Sequence, residues 1–138
     1  MYTLFKKYGI LLMKGGFKMA KITLSEIVSD YINDKKVYSP KYGIKSFASQ
    51  CNLSRSFIHR LVEGQYENTF SDKVIDSIAS TIKIKKGFLI QILSSDNGKE
   101  MYAEHTKLIH AINEILEKSD NDQLKVYYNL ICTVEDKI

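Results

Sequence analysis

Residues Ile44 to Glu63 read IKSFASQCNLSRSFIHRLVE. Phe47, Ala48 and Cys51 are apolar or small at helical spacing, Asn52-Leu53-Ser54 interrupts the pattern, and Ile58 and Leu61 resume it. Asn52 suits a turn, because its short amide tolerates the left-handed backbone that bulkier residues avoid. Ser54 suits an N-cap, since its hydroxyl can accept from an otherwise unpaired N–H of the helix that follows. Ala48 is small where two helices must cross closely. The stretch therefore predicts two short helices, about 44–51 and 55–63, joined by a tight turn, which are the demands of a helix-turn-helix.

Working outward, Thr23-Leu24-Ser25-Glu26 has the pattern of a capping box and opens a helix with Leu24, Ile27, Val28, Tyr31 and Ile32 on its apolar stripe. That helix is expected to end near Asp34. Lys35 to Gly43 holds the single proline, Pro40, and reads as a loop carrying Lys35, Lys36, Tyr38, Lys41 and Tyr42. After the central pair, Gly64 looks like a helix stop, and 65–70 a loop. Ser71 or Asp72 caps a fourth helix over about 72–82, with Val74, Ile75, Ile78, Ala79 and Ile82 inward. Lys83–Lys86 is a basic connector, and a fifth helix over about 86–93 carries Phe88, Leu89, Ile92 and Leu93. With no strand signal of useful length, the expected class is all-α.

Here the sequence resembles the lambda-repressor-like, or Cro/C1-type (XRE), helix-turn-helix proteins. Phe47-Ala48, Cys51, Leu53-Ser54, Ile58, Leu61 and Gly64 carry the match. The family usually shows Leu-Ala, an aliphatic residue, Gly, then Val-Ser, Ile, Ile and Gly at those spacings. Asn52 stands in place of the turn glycine, and Val62 in place of a common acidic residue, with Glu63 beside it. The loop before the second helix is longer than the family usually has. The resemblance covers about residues 22–93 and implies a five-helix DNA-binding domain.

It also implies which residues would meet double-stranded DNA. The recognition helix of the family enters the major groove, and its outward positions correspond here to Arg55, Ser56, His59 and Arg60. Arg55 and Arg60 suit bidentate contact with guanine O6 and N7, each worth about 1–3 kcal/mol of discrimination. Two roles are open to Phe57: covering a thymine methyl, or filling a gap beside the second helix. Lys41, Tyr42, Lys45, Ser46, Gln50, Ser54, Gln65, Tyr66 and Asn68 are the expected backbone contacts. The N-terminus of the second helix can itself meet a phosphate through free N–H groups. Ile44 stands where the family often has Gln, so Lys41, Tyr42 and Lys45 would replace that contact.

Ser94-Ser95-Asp96-Asn97-Gly98 reads as a linker, giving a DNA-binding domain over 19–93, a linker over 94–99 and a second unit over 100–138. The second unit predicts a helical hairpin, about 100–118 and 121–135, broken and capped by Ser119-Asp120-Asn121-Asp122. Leu108, Ile109, Ile112, Ile115 and Leu116 lie on one face of the first helix. Leu124, Tyr127, Tyr128, Leu130, Ile131 and Val134 lie on the second. Two helices cannot bury so many apolar residues against each other alone. They either fold back on the first domain or pair with a second copy, and pairing is favoured. Leu108, Ile112, Ile115, Leu116, Leu124, Tyr127, Leu130, Ile131 and Val134 are then the oligomerisation residues. A hairpin after such a domain resembles the layout of the SinR-type regulators, which self-associate through it.

Charge separates the same two parts. The net charge is +4, yet residues 19–93 hold eleven Lys/Arg against seven Asp/Glu, and 94–138 hold five against nine. A basic reader suits phosphate; an acidic tail would be repelled by DNA and suits another protein chain. Residues 1–18 hold four Lys and no acid, and lack both the length of a membrane span and the plan of a signal peptide. Lys14-Gly15-Gly16 can be encoded by AAAGGAGG, a bacterial ribosome-binding sequence, so translation is expected to begin at Met19 and residues 1–18 to be an upstream extension. A basic arm or a structural helix are the other readings of that segment.

The two cysteines, Cys51 and Cys132, make no disulfide framework and are expected as small buried hydrophobes. No catalytic residue, metal site or cofactor is expected. His59 has no Cys, Asp or second His within a helical turn, and His105 and His110 fall on different faces of one helix. The reading is a cytoplasmic, sequence-specific transcriptional regulator, a repressor binding a palindromic operator as a dimer or higher oligomer. A protein antagonist binding the tail would release it. The alternative is an antitoxin that controls its own promoter and grips a toxin through its C-terminal region.

Overall fold

The computed structural model describes residues 20–66 and 69–137. The expected extension over 1–18, the Met19 start and Asn68 lie outside those residues. Every regular element described is an α-helix: α1 Leu24–Tyr38, α2 Ile44–Cys51, α3 Arg55–Val62, α4 Asp72–Ile82, α5 Lys86–Ser94, α6 Gly98–Glu117 and α7 Asn121–Lys137. The chain divides into two compact units, one through Thr106 and one from Lys107.

The helix starts follow from local chemistry. Thr23 caps α1 with both halves of the capping box in place: its Oγ1 accepts from the Glu26 N–H at 3.2 Å, and Glu26 Oε1 accepts from the Thr23 N–H at 3.3 Å. Ser54 Oγ accepts from the Phe57 N–H at 3.1 Å, and Ser71 Oγ from the Val74 N–H at 3.4 Å. α1 runs to Tyr38, one turn beyond its expected end at Asp34. Nothing in Lys35–Tyr38 opposes helix, and Lys35 and Lys36 complement the partial negative charge of its last turn. The stop comes from Pro40, which keeps Ser39 out of the helical region (φ −135°, ψ 85°). The loop before α2 is thus Ser39–Gly43.

In the first unit α2 packs on α3 and α4, α1 on α3, and α4 on α5. The centre is Phe47, Ile58, Leu61, Ile78, Leu89 and Ile92, all essentially inaccessible, with Ile22, Leu24, Ile27 and Val28 from the α1 side. Each such side chain contributes about 1.5–3 kcal/mol on burial. Cys51 is among them, and burial pushes its thiol up; Cys132 is half-buried rather than buried.

The stretch expected as a linker over 94–99 is a three-residue turn. Ser94 still belongs to α5, and α6 already begins at Gly98. The reason is packing. Gly98 is buried so tightly that a Cβ would drive into the Ile92 carbonyl oxygen and come within 3.0 Å of Ile22 Cγ2. The Lys99 N–H donates to the Ala20 carbonyl at 3.0 Å, and Lys99 Nζ lies 3.5 Å from Glu26 Oε2. Beyond them Tyr102, Ala103 and Thr106 are buried in the first unit. Tyr102, 1% exposed, donates its phenol to Oδ2 of buried Asp30 at 3.4 Å. Burial foremost, then the Asp30 charge, raises the Tyr102 phenol above its ordinary value. His105 meets Phe88 in a tilted contact with centroids 4.8 Å apart, and burial lowers its imidazole. Residues 100–106 therefore complete the first unit, which the expected boundary gave to the second.

The second unit is the carboxyl-terminal half of α6, a short turn and α7. Asp120 caps α7 reciprocally: its Oδ1 accepts from the Gln123 N–H at 2.8 Å, while Gln123 Oε1 accepts from the Asp120 N–H at 3.0 Å. Leu108, Ile109, Ile112, Ile115, Leu124, Leu130, Ile131 and Val134 are exposed, while Leu116 and Tyr127 are half-buried. The unit leaves most of its own apolar surface in solvent.

Two glycines test this packing with opposite signs. Gly98→Ala should destabilise the protein by about 1–3 kcal/mol, because backbone rather than a flexible side-chain end must move. Gly87→Ala, with nothing within 4 Å of the added methyl, should stabilise it by about 0.4–1 kcal/mol. Urea midpoints of the two variants measure both.

Candidate nucleic-acid interface

α2 and α3 meet at a left-handed residue. Asn52 takes φ 57°, ψ 39°. The Leu53 N–H donates to the Ala48 carbonyl at 3.0 Å and the Asn52 N–H to Ser49 at 3.2 Å, the bond pair of a Schellman turn. The far end of α3 repeats the device: Gly64 has φ 75°, the Gln65 N–H donates to Arg60 at 3.1 Å and the Gly64 N–H to Leu61 at 3.0 Å. α3 is thus capped by Ser54 at one end and locked by Gly64 at the other. Lys83 uses the same backbone region after α4 (φ 61°) without being glycine or asparagine, which no residue preference foretells.

With Ile58 and Leu61 buried, Arg55, Ser56, His59 and Arg60 stand exposed on the other side of α3. Arg55, Ser56 and His59 line one shallow depression. His59 Nε2 lies 2.9 Å from Glu63 Oε1, and Gln65 Nε2 donates to Glu63 Oε2 at 2.7 Å. Glu63 therefore joins two expected contact residues, and it was missed by the sequence reading although its spacing of four from His59 was visible. Phe57 is half-buried and stacks on Tyr66 (5.1 Å, 30°), which meets Phe70 edge-on at 6.3 Å. Of its two open roles, the structure gives it a packing one, against the segment after α3 rather than beside α2.

The expected backbone contacts fall into smaller groups. The Tyr42 phenol donates to Gln50 Oε1 at 2.6 Å. Burial first, then the neighbouring Tyr31 and Cys51, pushes that phenol up to about 12, so it stays a neutral donor. Lys41 and Lys45 are exposed and Ser46 half-buried. Ser54 is engaged as a cap and keeps a hydroxyl proton to donate. Gly43 precedes α2 and supplies no side-chain cap, so no side chain competes for the first N–H groups of that helix. From Lys35 to Val62 the chain holds six Lys/Arg and no Asp or Glu.

These features define an all-α protein with a short, doubly clipped helix presenting a cationic and histidine-bearing face. No family model, curated protein or solved structure matches the chain. Among the described residues no helix is long and apolar enough to cross a membrane, and no group of three or more His, Cys, Asp or Glu is placed to hold a metal ion.

The Tyr42 phenol gives a pH signature. Its value rises on folding from about 10 to about 12, so the folded state favours the neutral form. Its contribution is whole below about pH 10 and is lost as pH climbs towards about 12. Urea midpoints measured across that window should fall more steeply for the wild type than for Tyr42→Phe.

Proposed function

We propose that the chain is a sequence-specific DNA-binding transcriptional regulator, a repressor of the lambda-repressor-like helix-turn-helix type. The observation that carries this reading is the outward face of α3. Arg55, Ser56, His59 and Arg60 are exposed on a helix whose ends are fixed by Ser54 and Gly64, within a stretch free of acidic residues. A helix fits the major groove, and exposed arginines are the side chains best suited to guanine edges there. Lys41, Tyr42, Lys45, Ser46, Gln50, Ser54, Gln65 and Tyr66 surround it with donors for phosphate. Tyr42 donates to Gln50 Oε1, and the Gln50 amide nitrogen is a donor by its chemistry. The reading assigns no catalytic group and no cofactor, and places the protein in the cytoplasm with DNA.

A single domain touches few base pairs, so occupancy of a palindromic operator calls for two copies about one helical turn apart. The exposed apolar residues of the second unit, Ile112 at 51% and Leu130 at 59% among them, support pairing of two copies there. The same surface suits the second reading, an antitoxin whose C-terminal unit grips a toxin. Solution mass of the protein alone separates the two. A dimer or larger assembly that becomes monomeric when the chain is cut after Lys107 supports the regulator, whereas a monomeric full-length chain favours the antitoxin. The cut belongs there, since one at Ser94 would strip Tyr102 from the core.

The DNA reading predicts two unlike losses. Arg55→Ala should relax base preference at one position of each half-site at a cost of about 1–3 kcal/mol, whereas Lys41→Ala should weaken all sequences alike and lower the salt slope by about 1. Selection of bound sequences and salt titrations measure these. Unchanged affinity and preference in Arg55→Ala would remove α3 as the reading helix.

A further inference from the structure

The last turn of α1 has surface features that the core does not explain. Val37 is 71% exposed and Tyr38 87%, the two most exposed large apolar side chains among the described residues of the first unit. They sit between Lys35 and Lys36 on one side and Lys41 on the other, at the start of the acid-free stretch. The turn adjoins the region already described. Lys35 Nζ lies 5.6 Å from the centre of the Tyr31 ring, Tyr31 meets Tyr42 edge-on at 6.4 Å, and Tyr42 is bonded to Gln50. A continuous set of cations and aromatic rings thus runs from the end of α1 to α2.

Two lysines are enough to offset the partial negative charge of a helix end, and Lys41 and Lys45 add to them. What such a surface fits is a long polyanion with sugar faces between its charges, as a duplex offers at one phosphate per 3.4 Å of each strand. We propose that the carboxyl-terminal turn of α1, through Lys35, Lys36 and Tyr38, binds the phosphate–sugar backbone of duplex DNA flanking the base pairs read by α3. This inference rests on the DNA-binding reading. The lysines pair with phosphates, and the Tyr38 ring lies on the intervening sugar. The effect is a footprint longer than the recognised sequence.

The test uses the full chain, a duplex carrying a selected sequence with long flanks, and the same duplex trimmed to that sequence. Binding is followed over a range of salt. On the long duplex, Lys35→Ala/Lys36→Ala should reduce the slope of log K against log salt by nearly 2, at about 0.9 per phosphate contact. Base preference should stay unchanged, and the trimmed duplex should show little difference from wild type. Tyr38→Ala should weaken the long duplex several-fold with the slope preserved. Both variants alter exposed side chains, and matching thermal melts exclude a folding effect. An unaltered slope on the long duplex overturns the inference. So does a Tyr38→Ala variant that changes solution mass but not DNA affinity, which would make the turn a protein contact. Failure of the wild type to bind any duplex overturns the DNA reading itself. Wild-type binding with a relaxed Arg55→Ala variant and an unaltered double variant overturns only the flanking contact.

Discussion

Everything α3 presents depends on the left-handed backbone at Asn52. A residue at φ 57° reverses the chain within three positions, so α3 can start at Arg55 directly after Asn52 and Leu53 close the end of α2 and Ser54 caps the new helix. In an L-residue that conformation costs about 1–2 kcal/mol, and the two Schellman bonds work against that cost. Once the turn is set, a helix of two turns has two buried side chains to anchor it, Ile58 and Leu61, with Phe57 and Val62 half-buried beside them. Their burial decides which residues face away. The second left-handed residue, Gly64, prevents the helix from extending and drifting around its axis. Ser25 adds a brace, donating its hydroxyl to the Val62 carbonyl at 3.1 Å.

Features written in short stretches of sequence could be read directly. The capping box of Thr23 and Glu26, the cap at Ser54, the cap at Ser71 or Asp72, the break and cap within Ser119–Asp122, and the turns at Asn52 and Gly64 each rest on neighbours within a few positions. The structure places these features where the residue types put them. What escaped depends on distant partners. Tyr102 is buried because Asp30, 72 positions earlier, and the space beside α1 receive it. A window centred on Ser94–Gly98 contains only linker-like residues and no sign of that docking. The extended end of α1 escaped for another reason: polar residues such as Lys35 and Lys36 carry no apolar period, although they are good helix formers. At the candidate interface, the outward set on α3 came from the family resemblance, and the burial of Ile58 and Leu61 leaves those four residues exposed. The role of Phe57 needed the positions of Tyr66 and Phe70, which no periodicity supplies.

The two units handle apolar surface in opposite ways. In the first, apolar side chains from five helices and the start of α6 converge, and among its described residues the exposed large hydrophobic ones are Val37, Tyr38, Tyr66 and Ile90. In the second, a hairpin of two helices, most aliphatic residues remain exposed. A pair of helices encloses no interior of its own. The excess of acid in residues 94–138 gives that unit the opposite charge balance from residues 19–93.

The close fit at Gly98 bears on how this chain can change over generations. The position has no spare volume: the Ile92 carbonyl belongs to the backbone of α5, and Ile22 holds the other side. A substitution there cannot be absorbed by one compensating side chain. It needs a smaller residue at position 22 together with a displaced end of α5, two changes of which either alone is harmful. Descendants of this sequence are therefore expected to keep glycine at that position while the exposed turn around Asp96 varies freely, so that one position inside a stretch resembling a disposable spacer would evolve as slowly as the core.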